Sequence, residues 1–175
     1  MHIVGYHGTK YDNAQSIIKN GFDLKKCTPR DDHWLGKGIY FFVDKEFAYW
    51  WADLHGDNGT VLRSNIDCDD DRYLDLDRVS IKVAFLEECK KYRKMFSKGY
   101  KNRKQLRCSM IEIYRRVFNY LVVSESFVVS YKSSFFKKFQ IDKSQVNSMW
   151  VNFLQKQVCV CENSLINNTE YDKEV

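Results

Sequence analysis

Two short segments hold side chains whose types and spacing suit chemistry. The first is Tyr6-His7-Gly8-Thr9, where a histidine is followed at once by a glycine and a hydroxyl. An imidazole at a strand end exchanges hydrogen bonds near neutral pH, and the glycine lets backbone come close to a flat ligand. The second is Gly36-Lys37-Gly38-Ile39-Tyr40-Phe41. Two glycines around a lysine open an apolar run whose tyrosine offers a face to a planar, cationic group. A third feature is the acid-free basic run from Lys90 to Arg107, interleaved with Tyr92, Phe96 and Tyr100. Cations alternating with rings suit a nucleic-acid strand with stacked bases, and suit a solvated helix face as well. Within it Lys101, Arg103 and Lys104 are the candidate contacts to such a strand. Alone, a strand-end histidine is more often structural, and so is a tyrosine at the start of a strand.

The elements that must position these residues follow from periodicity. Ile3 to Tyr6 reads as a strand ending at His7. Asp12 is placed to cap a helix with Ala14, Ile17 and Ile18 on its apolar side, closed by Gly21. Lys25 to His33 is a polar loop holding Pro29. Ile39 to Val43 is a buried strand of β-branched and aromatic residues. Asp44 caps a helix bearing Phe47, Ala48, Trp51 and Leu54. Thr60 to Cys68 and Tyr73 to Leu76 read as strands, and Val79 to Phe96 and Leu106 to Tyr120 as helices, the latter with Met110, Ile113, Tyr114 and Val117 at helical spacing. Leu121 to Val123, Phe127 to Ser130 and Gln157 to Cys161 are strand candidates, and Val146 to Phe153 a helical turn. The order is α+β without regular βαβ alternation. No G-x-G-x-x-G follows the first strand, which disfavours a Rossmann sheet.

Together and in this order, the two segments resemble the ADP-ribosyltransferase superfamily, in the branch shared by diphtheria toxin and the poly(ADP-ribose) polymerases. That branch carries a histidine in H-G-[ST] on its first strand and a tyrosine in G-x-Y-[FL] on a later one. A helix with small and aromatic residues follows, matched here by Ala48, Trp51 and Ala52. The helix Ala14 to Asn20 with Gly21-Phe22 also fits. The likeness is dense over residues 1–55, thin over 56–150, and returns at Gln157 to Ile166.

The resemblance implies a single α+β domain over residues 1–166 with a split antiparallel sheet. A mostly helical insertion at 78–120 would carry basic residues, and 167–175 would be a flexible tail. It implies NAD as cofactor, no metal, and transfer of a single ADP-ribose to RNA or protein. His7 would hydrogen-bond the adenosine-side ribose, Gly8 would hold the carboxamide through its N–H and C=O, and Tyr40 would stack on nicotinamide. Tyr49 or Trp50 would join Tyr40, Thr9 would order the loop, and Trp34, Lys37 and Gly38 would border the pocket. Where the family has a glutamate opening a late strand, this chain has Gln157, with Gln155 two residues earlier. Glu162 is the nearest carboxylate but alternates to the opposite face, and Glu125 and Glu46 are the remaining candidates. Two rivals stand beside a transferase: an NAD-dependent RNA 2′-phosphotransferase, against which the strand GIYF argues, and an inactive NAD- or ADP-ribose-binding module, which Gln157 keeps in view. Toxin, effector and anti-phage roles come with the resemblance alone.

Composition agrees with a globular reading. The 175 residues are 44% hydrophobic, 15% aromatic and 29% charged, with one proline and a net charge of +5. The chain is therefore neither linker-like nor strongly polyanion-seeking overall. No apolar run approaches the ~20 residues of a membrane span. MHIVGYHGTK lacks a basic segment followed by an apolar one, so a cytoplasmic protein or a delivered effector is expected rather than a secreted one. The six cysteines form no C-x-x-C pair and are expected to be reduced thiols, with Cys159 and Cys161 on one strand face.

Overall fold

The computed structural model describes residues 1–27, 33–54, 56, 58–96, 103–130, 133–141 and 153–172, with backbone only at 93–96. Its first strand, β1 (His2–Lys10), runs without a loop into α1 (Tyr11–Asn20). Lys10 rather than Asp12 therefore occupies the N-cap, and Asp12 falls in the first helical turn. Gly21 closes α1 at φ +76°, its N–H returning to the Ile17 carbonyl at 2.8 Å. β2 (Ile39–Phe42) leads into α2 (Lys45–Asp53). Then come β3 (Gly59–Asp67), β4 (Tyr73–Asp75), α3 (Val79–Phe96) and α4 (Arg103–Val117). The chain continues through β5 (Val122–Val128), α5 (Phe135–Lys138), β6 (Leu154–Val160) and β7 (Ile166–Tyr171).

The strands form one seven-stranded sheet in the order β4-β5-β6-β2-β1-β3-β7. Among the described strands, only β4 and β5 pair in parallel. β1 follows β3 from His2–Asp67 to Lys10–Gly59, and β2 follows β6 from Ile39–Val160 to Phe42–Gln157. Between β1 and β2 the register has a single pair, Tyr6 with Phe42. The sheet is thus two ladders joined at one point.

Strand alternation divides the core. Ile39 and Phe41 point to one face, into a cluster with Ile66, Val122, Val158 and Val160. Tyr40 and Phe42 point to the other. There α3 and α4 cover the β4-β5-β6 side through Phe85, Met110, Ile111 and Tyr114, while α2 and α5 cover the β1-β3 side through Phe47, Ala48, Phe135 and Phe136. No described helix is long and apolar enough to cross a membrane.

Three expectations are corrected. Most of the tail at 167–175 is structured: β7 pairs with β3, bound by polar cross-strand contacts such as Ser64–Thr169 at 3.0 Å and Arg63–Glu170 at 3.2 Å, which an apolar pattern does not register. The two short strands at 121–130 are one strand, β5, because its interior Ser124 and Glu125 are buried with partners and do not break it. Tyr92 packs against the core cluster under α3 and α4 and is not a free stacking ring. The helical turn expected at Val146 to Phe153 lies, except for Phe153, outside the described residues, as does Pro29.

Gly8 and Gly59 sit opposite α2, where an added β-carbon would overlap the Ala48 or Ala52 carbonyl oxygen. Gly59→Ala is therefore expected to cost about 1–3 kcal/mol, as overpacking does, lowering the urea midpoint. An unchanged midpoint would mean that α2 has room to move off the sheet.

Candidate functional site

Past Tyr6 and Phe42 the two ladders diverge, and a cleft of about 880 Å³ opens where they part. Its floor comes from His7, Gly8 and Thr9 of β1 and from Gly38 to Phe42 around β2. Trp50 and Trp51 of α2, Gln155 and Gln157 of β6, Asn13 and Ser16 of α1, and the loop residues Phe22, His33 and Trp34 complete the walls. The expected site residues His7, Gly8, Thr9, Trp34, Gly38, Tyr40 and Gln157 all meet here.

A hydrogen bond spans the gap. His7 Nδ1 lies 2.8 Å from the Tyr40 carbonyl oxygen. A carbonyl accepts, so Nδ1 carries the hydrogen. The ring is also set by Phe22, edge-on at 5.3 Å, and by Phe41 at 5.7 Å.

Tyr40 is held harder still. Its hydroxyl donates to the Gly36 carbonyl at 2.6 Å and accepts from the Leu35 N–H at 2.9 Å. Its ring lies nearly parallel to His33, 4.6 Å away. Burial pushes the phenol far above its ordinary pKa, so it is a neutral donor and packing surface, not a base.

The loop that holds Tyr40 is itself gripped by one side of α4. Lys104 Nζ lies 4.5 Å over the Trp34 ring, Arg107 Nε donates to the Trp34 carbonyl at 3.3 Å, and Cys108 Sγ reaches the His33 carbonyl at 2.6 Å. Glu112 accepts from the Lys37 N–H at 2.6 Å and is braced by Arg115 at 2.8 Å. Gly36 turns above Glu112 at φ +92°, a left-handed conformation that favours glycine, and a β-carbon there would crowd the carboxylate.

Gln157 pairs with Phe42 on one side and Glu125 on the other, so its side chain shares a face with Tyr40. Glu125 is 6% exposed and forms ion pairs with Arg107 and with Lys82, the latter at 3.0 Å. Glu125, Glu46 and Glu162 all lie outside the cleft lining, and Glu46 and Glu162 are exposed. Among the described residues the carboxylate that lines the cleft is Asp23, whose Oδ1 accepts from the Lys25 N–H at 2.9 Å.

Tyr49 is not brought to the cleft. Its hydroxyl donates to Asp172 at 2.8 Å and Lys138 lies over its ring, while the next residues along α2, Trp50 and Trp51, line the cleft. Of the acceptor candidates, Lys104 covers Trp34 at the cleft mouth and Arg103 is exposed at the start of α4, whereas Lys101 lies outside the described residues. Cys159 is a buried thiol whose pKa burial raises; it contacts the Gly36 carbonyl at 4.0 Å, while Cys161 reaches the Lys37 carbonyl at 3.5 Å. His33, Phe22 and the α4 grip were not foreseen. The single available signal was the pairing of His33 with Trp34 just ahead of Gly36.

No family profile matches the chain, and no solved structure matches it. It is similar to the uncharacterized protein MJ0359 of Methanocaldococcus jannaschii, 29% identical over 89 residues. That alignment takes in 46% of this chain and 40% of the relative.

Tyr40→Phe keeps the ring and strands the Leu35 N–H and the Gly36 carbonyl. Each unpaired buried group costs about 1–3 kcal/mol, so a lower melting temperature and a weakened near-ultraviolet signal are expected. A melting temperature equal to wild type would show that the hydroxyl does not anchor the loop.

Proposed function

We propose that the chain transfers a single ADP-ribose from NAD to a macromolecular acceptor, RNA or protein. The observation that carries this reading is the hydrogen bond from His7 to the Tyr40 carbonyl, made where β1 and β2 part. Gly8, Thr9, Trp34, Gly38 and Gln157 gather around that bond in one cleft. The single β1–β2 pair also supports the finer reading of the sheet as the split sheet of the ADP-ribosyltransferases.

The residues present fit a dinucleotide. About 880 Å³ falls toward the upper end of small-molecule sites, roughly 300–1,000 Å³. Lys10 and Lys26 supply positive charge along the α1 side, where a pyrophosphate requires it, and Asn13 and Ser16 supply polar groups for ribose. Trp50, Trp51 and Tyr40 provide aromatic faces for a pyridinium.

NAD, when bound, supplies a glycosidic carbon that gives up neutral nicotinamide with its bonding electrons and takes an acceptor oxygen or nitrogen, whose proton passes to solvent. The chain's own part is positioning. His7, fixed by its Nδ1 bond, addresses a ribose hydroxyl. Gly8 offers backbone on the side of β1 that has left β2. Tyr40 keeps the Gly36–Gly38 loop closed against the cleft. The Gln157 amide oxygen accepts from a ribose hydroxyl, with less negative charge than a carboxylate offers to a positive ribose.

That difference is the test. With NAD labelled in its adenylate phosphate, wild type is expected to release nicotinamide and to label a macromolecular fraction, and His7→Ala to bind NAD weakly. Gln157→Ala should lose most turnover. Gln157→Glu should keep or raise it, up to the order of 10²–10³-fold that one preorganised electrostatic group provides. Release of nicotinamide by Gln157→Glu alone would make the natural chain an NAD-binding module. Failure of wild type to bind NAD in calorimetry would end the reading.

A further inference from the structure

At the cleft mouth two aromatic rings and two cations form a surface of which Trp34 also lines the cleft, while Phe127, Lys104 and Arg107 lie outside its lining. Trp34 and Phe127 meet at 5.3 Å between ring centroids, tilted by 51°. Lys104 lies 4.5 Å over Trp34 and the Arg107 guanidinium 5.7 Å from Phe127. Both rings are half-buried and sit beside the cleft. Trp34 lines the cleft, and Phe127 is the cross-strand partner of Gln155, which lines it too.

The cations differ in how they are held. Arg107 is committed to buried Glu125 and to the Trp34 carbonyl, and so fixes the rings. Lys104 and its neighbour Arg103 are exposed and open the acid-free end of α4. An exposed lysine resting on an indole is displaced easily by a flat group that stacks better. Its ammonium, one side-chain swing away, then meets an anion carried beside that group.

A base with its own phosphate is the ligand with that pair of features. We propose that the Trp34–Phe127 rim is a docking surface for single-stranded nucleic acid. One unpaired base takes the Lys104 position over Trp34, and Lys104 and Arg103 contact the adjoining phosphates. A duplex is refused because its bases are already stacked and cannot lie on the indole. An acidic peptide would satisfy the cations and leave the rings without a partner. The inference rests on the proposed transferase reading only in calling the strand an acceptor.

Anisotropy of fluorescein-labelled 12-nucleotide RNA and DNA single strands, and of the matching duplexes, tests it without NAD. Wild type is expected to prefer single strands of either sugar, or of one, over duplex. Trp34→Ala should weaken single-strand binding by roughly 5- to 100-fold, the range for loss of one base–aromatic stack, and Trp34→Phe should recover part of it. Lys104→Ala should reduce the slope of log K against log salt by about 0.7, one phosphate contact on a single strand. Lys19→Ala, on exposed α1 outside the cleft, should match wild type. Circular dichroism of each variant checks folding. Equal affinity for duplex, or Trp34→Ala binding single strands like wild type while folded, overturns the proposal. So does binding of a poly-glutamate peptide in preference to either strand. NAD calorimetry on the same samples reads the transferase proposal separately, so each can fail alone.

Discussion

The interrupted pairing of β1 with β2 is the constraint on which the rest of the molecule depends. A strand that leaves its ladder must find other partners for its backbone groups or surrender them to water. Here the ladders part after one pair, and the first carbonyl beyond it takes a side-chain donor, His7, in place of a strand. The gap stays open without weakening either side, because β1 remains paired along its whole length with β3, and β2 along its whole length with β6. A sheet with a permanent opening at its centre offers rigid backbone on both walls, which suits a site better than loops do.

That opening would close or flood if the chain entering β2 were loose. Contacts from α4 hold that chain in place. Three residues on one side of α4, Arg107, Cys108 and Glu112, each grip the segment from His33 to Lys37, and that segment grips the Tyr40 hydroxyl from two sides. α4 therefore supports the cleft through this segment. Arg107 makes the arrangement cooperative: one guanidinium reaches the Trp34 carbonyl, the Phe127 ring and buried Glu125, so a change at any of these disturbs the others.

How much of this was legible in the sequence depends on the kind of interaction. His7-Gly8-Thr9 and Gly36 to Tyr40 were readable because close backbone approach demands glycine and a buried strand demands apolar runs. Gln157 was readable as a strand residue on the face opposite Glu162 because alternation along a short apolar strand leaves two options. Tyr49 was misjudged relative to Trp50 and Trp51 because aromatic residues in succession on a helix differ by about 100° each, and sequence does not say which one meets the opening. β7 and the middle of β5 were missed for a common reason: both are stabilised by polar cross-strand pairs, Ser64–Thr169 in one case and Ser124–Tyr73 at 2.6 Å in the other. The α4 grip was invisible because it joins side chains to carbonyls some seventy residues away, a pairing with no local pattern.

The charges around Gln157 bear on what a carboxylate would do at that position. A carboxylate at that position would lie opposite Phe42 on β2 and Glu125 on β5, and the like charge of Glu125, on the same face of the adjacent strand, would oppose its ionisation. Lys82 and Arg107 both form their ion pairs with Glu125. An amide carries no such penalty and keeps the hydrogen-bonding geometry. Glutamate at 157 would thus gain its full electrostatic effect only if Glu125 were neutral as well. The pair is to be treated as a unit: Gln157→Glu alone should titrate with a raised pKa, and Gln157→Glu combined with Glu125→Gln should bring that pKa back down. A pH–rate profile that is the same for the single and double variants would mean that the two positions do not sense each other across the strand.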